Sequence, residues 1–494
     1  MSLLEQEPLL DVDQIQGNIL RGFDTQWLQL VGLKTESEPV LRTWLKGLAP
    51  KVSSLKDVHA YRLARTNGTL HNPAPVLINI AISGIAIRLL RYNLSDIGDG
   101  MVNLPMGDLA RSLGDSPEDV ASFKIGKDKS TSPEVLLLIG CEDKETLLGD
   151  VKALIGSAEA AGLTVIYTDL GTKLPNEIEH FGFKDGISQV GVRGLLNQDP
   201  LEPLTLRIIK KTDPNFDHYG SPGQPLVWPG QFIFGYPMQQ ESSLEPGPVS
   251  GKADWLRNGS LLVFRRLNQD VRKFQSFLNE QAAAFNLSCE QLGAKVVGRW
   301  PDGTPTTLSP DAPDTDLANN PLRLNHFAYG GQAAIVVQHD DGSTQTVAGN
   351  AEDNAGLRCP HLAHVRKVNP RNLHTDQGGP GRTLMMQMIR RGIPFGPAFD
   401  PREEDVPDRG LLFISYQTSI SKQFKKLNTQ WMNNPDAPEV GDQSHDLLVG
   451  QSLLSKERIG SFPNGSVLKT EDKWVRPSGG AFMFSPSIDF LKGL

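Results

Sequence analysis

Along the chain, short unbroken or alternating apolar runs give way to stretches with three- to four-residue periodicity and then return. Trp27 to Leu33 reads as a strand and Glu38 to Leu48 as a helix. Pro75 to Ile82 predicts a strand leading into a helix over Gly84 to Leu90. Glu134 to Cys141, Lys144 to Ala161 and Leu163 to Thr168 then predict strand, helix, strand.

A second series opens with strands at Gly230 to Tyr236 and Ser260 to Leu267, a helix from Asn268 to Phe285 and a shorter one from Cys289 to Val297. Strands at Thr383 to Arg390 and Gly410 to Tyr416, a helix at Ser421 to Met432 and a strand at Gly480 to Phe484 complete it. Strands separated by single helices, returning twice, predict an α+β protein of two ferredoxin-like halves, each an antiparallel sheet with helices. The halves are expected at residues 1–225 and 226–494. Leu195 to Pro229 reads as their connection, and proline-rich Trp300 to Asn325 as a surface insertion or flexible loop. The apolar end, Pro486 to Leu494, reads as a helix used in core packing.

A chain of 494 residues exceeds the usual single-core limit, which agrees with two packed halves and leaves room to bury a cofactor. Hydrophobic residues at 38% and charged residues at 21% describe a globular protein. With a net charge of -8 and no dense basic block, a nucleic-acid partner is not expected. The longest apolar stretch, Val76 to Ile87, is broken by Asn79 and Ser83 and is too short to span a membrane. No secretion signal is visible in Met1 to Leu20. The three cysteines, Cys141, Cys289 and Cys359, cannot form a closed disulfide framework. The cytoplasm is the expected compartment, and a monomer or small homo-oligomer the expected state.

Four segments could carry chemistry. Glu179 to Ser188 places an acid, Asp185, in a loop flanked by Gly182 and Gly186, which reads equally as a common Asp-Gly turn. It lacks the alternate oxygen ligands of a calcium loop. Arg358 to Arg371 holds His361 and His364 three apart, but no ligand set for zinc. Met388 to Pro394 carries paired Arg390 and Arg391, as at a solvated strand edge or a carboxylate clamp. Gly410 to Gln417 alternates large apolar residues, as an ordinary core strand would.

Taken together and in this order, these segments resemble the dye-decolorizing peroxidases. Gln16-Gly17-Asn18-Ile19-Leu20, Asn258-Gly259-Ser260 through Phe264-Arg265-Arg266-Leu267, and Gln430-Trp431 are similar to the family too. The resemblance covers nearly the whole chain. In length it is closer to the longer intracellular bacterial members.

The resemblance implies one haem b per chain, bound mainly by the C-terminal half, with His364 as the iron ligand and His361 as its competitor. It implies that Asn369 and Pro370 shape the following turn and that Arg371 pairs with a haem propionate. Asp446 would accept a hydrogen bond from the proximal imidazole, although Leu447 stands where the family pattern has proline. On the other haem face it assigns catalysis to Asp185 as general acid-base and to Arg390 for charge stabilisation, with Arg391 the alternative. Leu411 and Phe413 would line that pocket. The implied activity is reduction of hydrogen peroxide through an oxoferryl intermediate, with dyes, phenols and related aromatic donors oxidised. A carboxylate base stays ionised well into acid, so activity is expected to persist there. Two rival readings are a haem-handling protein without turnover and a thiolate-haem protein using Cys359.

Overall fold

Apolar runs rich in Leu, Ile and Val make four strands in the first half: β1 (Trp27–Lys34), β2 (Leu77–Ser83), β3 (Val135–Cys141) and β4 (Thr164–Thr172). In the computed structural model, which describes residues 3–70, 72–196, 202–241, 244–402, 408–439, 441, 443–451 and 457–494, they pair antiparallel in the order β4-β1-β3-β2. The second half repeats this plan with β5 (Ser260–Gln269), the short β6 (Ile389–Arg390) and β7 (Ile393–Phe395), β8 (Gly410–Gln417) and β9 (Val475–Ser485). Counting β6 and β7 as one interrupted strand, the order is β9-β5-β8-β6/β7, the same 4-1-3-2 arrangement. Both halves therefore have the expected ferredoxin-like topology.

The two sheets meet edge to edge twice. Ile82 and Ser83 of β2 pair with Phe484 and Met483 of β9, and Gly171 of β4 pairs with Phe395 of β7. A ring results, and closure removes sheet edges that would otherwise invite association. Because neighbouring side chains on a strand face opposite ways, Leu136, Leu138, Phe264, Leu412, Ile414 and Tyr416 meet inside the ring. Val135, Leu137 and Ile139 face outward under helices α1 (Glu38–Leu48) and α3 (Lys144–Ala161). Between these lies α2 (Leu55–Thr66), which the sequence reading did not find. Its start is fixed by Ser54 and Asp57, each bonding the other's backbone N–H, and Leu55, Val58 and Tyr61 pack into the interior cluster.

In the second half, Asp270 caps α4 (Val271–Ala282), and Ser288 with Gln291 caps α5 (Cys289–Val297). Phe274, Phe277, Leu292 and Val296 of these helices pack with Leu362, Leu447 and Trp474. The terminal helix Ile488–Gly493 buries Ile488, Phe490 and Leu491, as expected of a core-packing end.

Several expected elements differ. Gly230 to Tyr236 is not a strand: Pro229 starts a turn, Gly235 has φ +89°, and Phe232, Ile233, Phe234 and Tyr236 are buried from turn positions. The helix expected from Asn268 starts at Val271, because β5 continues to Gln269 and Asp270 supplies the cap. Thr383 to Arg390 splits into a helix Pro380–Met385, begun by proline at its first position, and the two-residue β6. Ser421 to Met432 is helical only from Phe424, and Leu427–Met432 winds as a π-helix. Trp300 to Asn325 is no loose surface insertion. Trp300, Thr304, Thr306, Thr307 and Leu317 are buried, and Thr304 and Thr306 bond to backbone carbonyls. Proline and turn residues there shape an ordered loop. Among the described residues, no helix is long and apolar enough to cross a membrane.

Candidate active site

A short helix, α6 (His364–Val368), begins after Pro360 and ends where Pro370 disfavours helical geometry for Asn369, whose φ is -150°. Arg371 follows with φ +56°, which turns the chain back sharply. His364 stands at the first position of α6. Its Nδ1 lies 2.6 Å from Asp446 Oδ2, and the other Asp446 oxygen accepts the N–H groups of Leu448 and Val449 at 3.0 and 3.1 Å. Leu447 in place of proline leaves this turn intact. Burial disfavours the imidazolium, but Asp446 more than offsets it, so the His364 pKa is raised while that of Asp446 is lowered.

His364 lies deep in the protein, yet 28% of its side-chain surface stays accessible. It must therefore face an internal hollow. His361 is engaged elsewhere, with Nε2 3.0 Å from the Asn354 carbonyl and 3.5 Å from Glu439. Cys359 is fully buried beside Tyr329 and Ala363, where burial raises its thiol pKa, which gives no support to a thiolate ligand.

Opposite signs converge on the hollow from two other elements. Gly182 (φ +94°) and Gly186 (φ +74°) bend the loop that presents Asp185, which is exposed. Behind it, Glu179 accepts the N–H groups of Phe181 and Phe183 at 2.9 and 3.1 Å and a bond from Gln269 at 2.6 Å. Burial nevertheless raises the Glu179 pKa to about 7. Arg390 reaches out from β6 and donates to the Ser188 carbonyl, while Gln189 donates to the Arg390 carbonyl at 3.1 Å. The charges of Asp185 and Arg390 both act on His364, so the three share one neighbourhood.

Arg391 is spent differently, donating to the carbonyls of Asn18, Leu20 and Arg390. On β8, Leu411 and Phe413 share the sheet face of Arg390 and Ser415 and stay partly exposed while Leu412 and Ile414 are buried. Asp185 and Arg390 also line a cavity of about 390 Å³ that leads away between Arg21 to Thr25 and Lys173 to Glu179.

Elsewhere in the second half, around Asn325 and Phe327, sit two cations without a carboxylate among the described residues. Arg371 donates to the carbonyls of Asn325 and Phe327 and lies 3.7 Å over the Phe327 ring. Arg299 bonds Gly303, Leu324 and Asn325, and its pKa falls to about 9 through burial and the nearby Arg371. Among the described residues, the Asn369 side chain makes one long bond, its Oδ1 accepting from Gln387 at 3.4 Å.

No family model matches the chain. It is 28% identical to a dye-decolorizing peroxidase of Exidia glandulosa over 98% of this chain and 87% of that one. It is also 28% identical to the multifunctional dye peroxidase DyP2 of Amycolatopsis sp., over 98% and 96%. The solved structure of an ancestral D-type dye decolorizing peroxidase superposes with a TM-score of 0.78 at 30% identity, covering 98% of this chain and 99% of that one. The chain belongs to the dye-decolorizing peroxidase family. A further member, solved in complex with 2,6-dimethoxyphenol, matches with a TM-score of 0.74 at 27% identity over 98% and 99% of the two chains.

Dye-decolorizing peroxidases are haem b enzymes that reduce hydrogen peroxide and oxidise aromatic donors, and this chain is one of them. The hollow suits that cofactor. A histidine with its far nitrogen fixed by a carboxylate offers a basic ligand, the β8 face offers apolar contact, and two guanidiniums, Arg299 buried and Arg371 partly buried, with no carboxylate partner among the described residues, suit propionates. Arg299 was not singled out from the sequence, where it stands 65 positions before His364 with no motif around it. Glu179 was visible only as the start of the Asp185 segment.

Proposed function

We propose that His364 ligates haem iron through Nε2 while Asp446 holds Nδ1–H, and that Arg371, joined by Arg299, meets the propionates. Asn369 and Pro370 shape the turn between ligand and propionate site. On the other face Asp185 and Arg390 are the catalytic residues, with Leu411 and Phe413 as the apolar wall. In this reading residues 1–225 carry the Asp185 loop, and residues 226–494 carry the iron ligand and Arg390. The observation that carries it is the convergence on one hollow of a carboxylate-backed histidine, a loop carboxylate and a strand-end arginine.

Haem, when bound, supplies the electrons that reduce peroxide and recovers them singly from aromatic donors such as dyes and phenols. Asp185 takes a proton from the inner oxygen of hydrogen peroxide and returns it to the outer one, which departs as water. Arg390 holds the negative charge that grows on the departing oxygen. Leu411 and Phe413 keep the space small and dry, which strengthens both effects.

The protein acts in the cytoplasm as a monomer or small homo-oligomer, without a nucleic-acid partner. Three unpaired cysteines, two of them buried, and a net charge of -8 support this. The test is an absorption spectrum of the purified protein before and after one equivalent of peroxide. A haem band that shifts at once is expected; a haem band indifferent to peroxide overturns the reading.

A further inference from the structure

The Gln16–Leu20 segment, part of the family resemblance, touches none of the groups assigned above, yet its polar atoms are held from all sides. Gln16 donates to the carbonyls of Ile80 and Pro486 at 2.9 and 2.7 Å and accepts the Ile80 N–H at 2.7 Å. Asn18 gives its N–H to Asn79 and accepts that of Phe23, at 2.7 and 3.1 Å. Arg391 takes the carbonyls of Asn18 and Leu20, and Arg62 takes that of Arg21 at 2.7 Å. These bonds fix one turn, and its product is the wall of the 390 Å³ cavity formed by Arg21, Gly22 and Phe23. Asp185, Gly186, Gln189 and Arg390 line the same cavity.

Most charges in that cavity are satisfied. Asp24 pairs with Arg62 and Lys173, and Arg391 is absorbed by carbonyls. Arg21 differs. Its guanidinium has no hydrogen-bond acceptor among the described residues, its Nε is buried and unsatisfied, and the charge that acts on it is that of Arg62, of the same sign. A half-buried cation with an orphaned N–H is costly unless something brings it oxygen. Guanidinium's planar fork fits a carboxylate or sulfonate by two parallel bonds. The cavity's volume falls within the range of small-ligand pockets, about 300 to 1,000 Å³.

We propose that this cavity binds aromatic donors that carry an oxyanion, a carboxylate or sulfonate, and that Arg21 takes the oxyanion and selects this class of donor. The inference rests on the reading that Asp185 and Arg390 mark the peroxide side, since the cavity then delivers the donor's ring toward that side.

Calorimetric titration of the haem-loaded protein without peroxide tests it, with 4-hydroxybenzoate and phenol as probes. Wild type is expected to bind 4-hydroxybenzoate about tenfold more tightly than phenol, the size of one charge-assisted contact. Arg21→Gln should abolish that preference while phenol binding stays unchanged, and Arg21→Lys should restore part of it. Among the described residues the Arg21 side chain makes no hydrogen bond, so Arg21→Gln should keep the wild-type haem band and should not lower the melting temperature. Retention of the preference in Arg21→Gln, or equal weakening of both probes, overturns the proposal. Failure of the peroxide-site reading would instead appear as unchanged peroxide kinetics in Asp185 and Arg390 variants, with the binding preference intact.

Discussion

At the scale of single residues, the site divides by which partner each side chain already has. Asp446 commits His364 Nδ1, which leaves Nε2 for the proposed iron ligation, and backbone carbonyls commit Arg391, which leaves Arg390 for the proposed catalytic role. The motif order alone made both pairs of candidates visible, but only side-chain direction separates their members. Direction depends on strand phase: Ile389 turns into the ring, so Arg390 turns out. Asp185→Ala and Arg390→Ala should each slow the peroxide-dependent spectral change by about 10²-fold or more with haem retained. His364→Ala should lose or weaken haem instead. Stopped-flow mixing with peroxide and the ratio of haem to protein absorbance check the two outcomes, and wild-type rates in both distal variants would sink the assignment. Arg299 lay beyond sequence reasoning, because the role proposed for it comes from standing beside Arg371 with no carboxylate partner among the described residues.

Among elements, the loop that carries Asp185 shows how local sequence and tertiary placement divide the work. Two glycines at positive φ made its bend readable, whereas its rigidity comes from Glu179, whose carboxylate staples the Phe181 and Phe183 N–H groups. Regular elements were legible where one apolar period persisted, as in β1, α1 and α3. They were misread where proline interrupted it, as at Pro229 and Pro380. Burial raises the Glu179 pKa from its ordinary 4.5 to about 7. The folded chain therefore holds this proton more tightly than the unfolded one, and the resulting stability is complete below about pH 4.5 and is lost as pH rises through 7. Glu179→Gln keeps an acceptor oxygen but removes the titration. Its stability relative to wild type should improve by on the order of 2 to 3 kcal/mol between pH 4.5 and 8. Urea unfolding across that range reads the difference, and parallel curves for the two proteins would remove Glu179 as the titrating group.

For the whole molecule, two halves with the same strand order become one body through two seams, and the one at Gly171 and Phe395 is a single residue pair. The repeated strand-helix alternation announced the halves, but ring closure is a long-range pairing that no local pattern records. Gly171 is the residue this seam requires: a Cβ there would run into the Ile393 side chain and sit 3.2 Å from the Pro394 carbonyl. Ile393 begins β7, three residues beyond Arg390, so pressure at the seam reaches the strand end that aims the guanidinium. Gly171→Ala is therefore expected to cost about 1 to 3 kcal/mol of stability by overpacking and to slow the reaction with peroxide as well. Gly47→Ala, on the exposed face of α1 with nothing within 4 Å, is the control. It should stabilise the chain by about 0.5 to 1 kcal/mol through helix propensity and leave peroxide kinetics alone. Thermal melts and stopped-flow rates on both variants separate a seam that positions Arg390 from one that only holds the halves together. In the second case Gly171→Ala would lower the melting temperature with the rate unchanged.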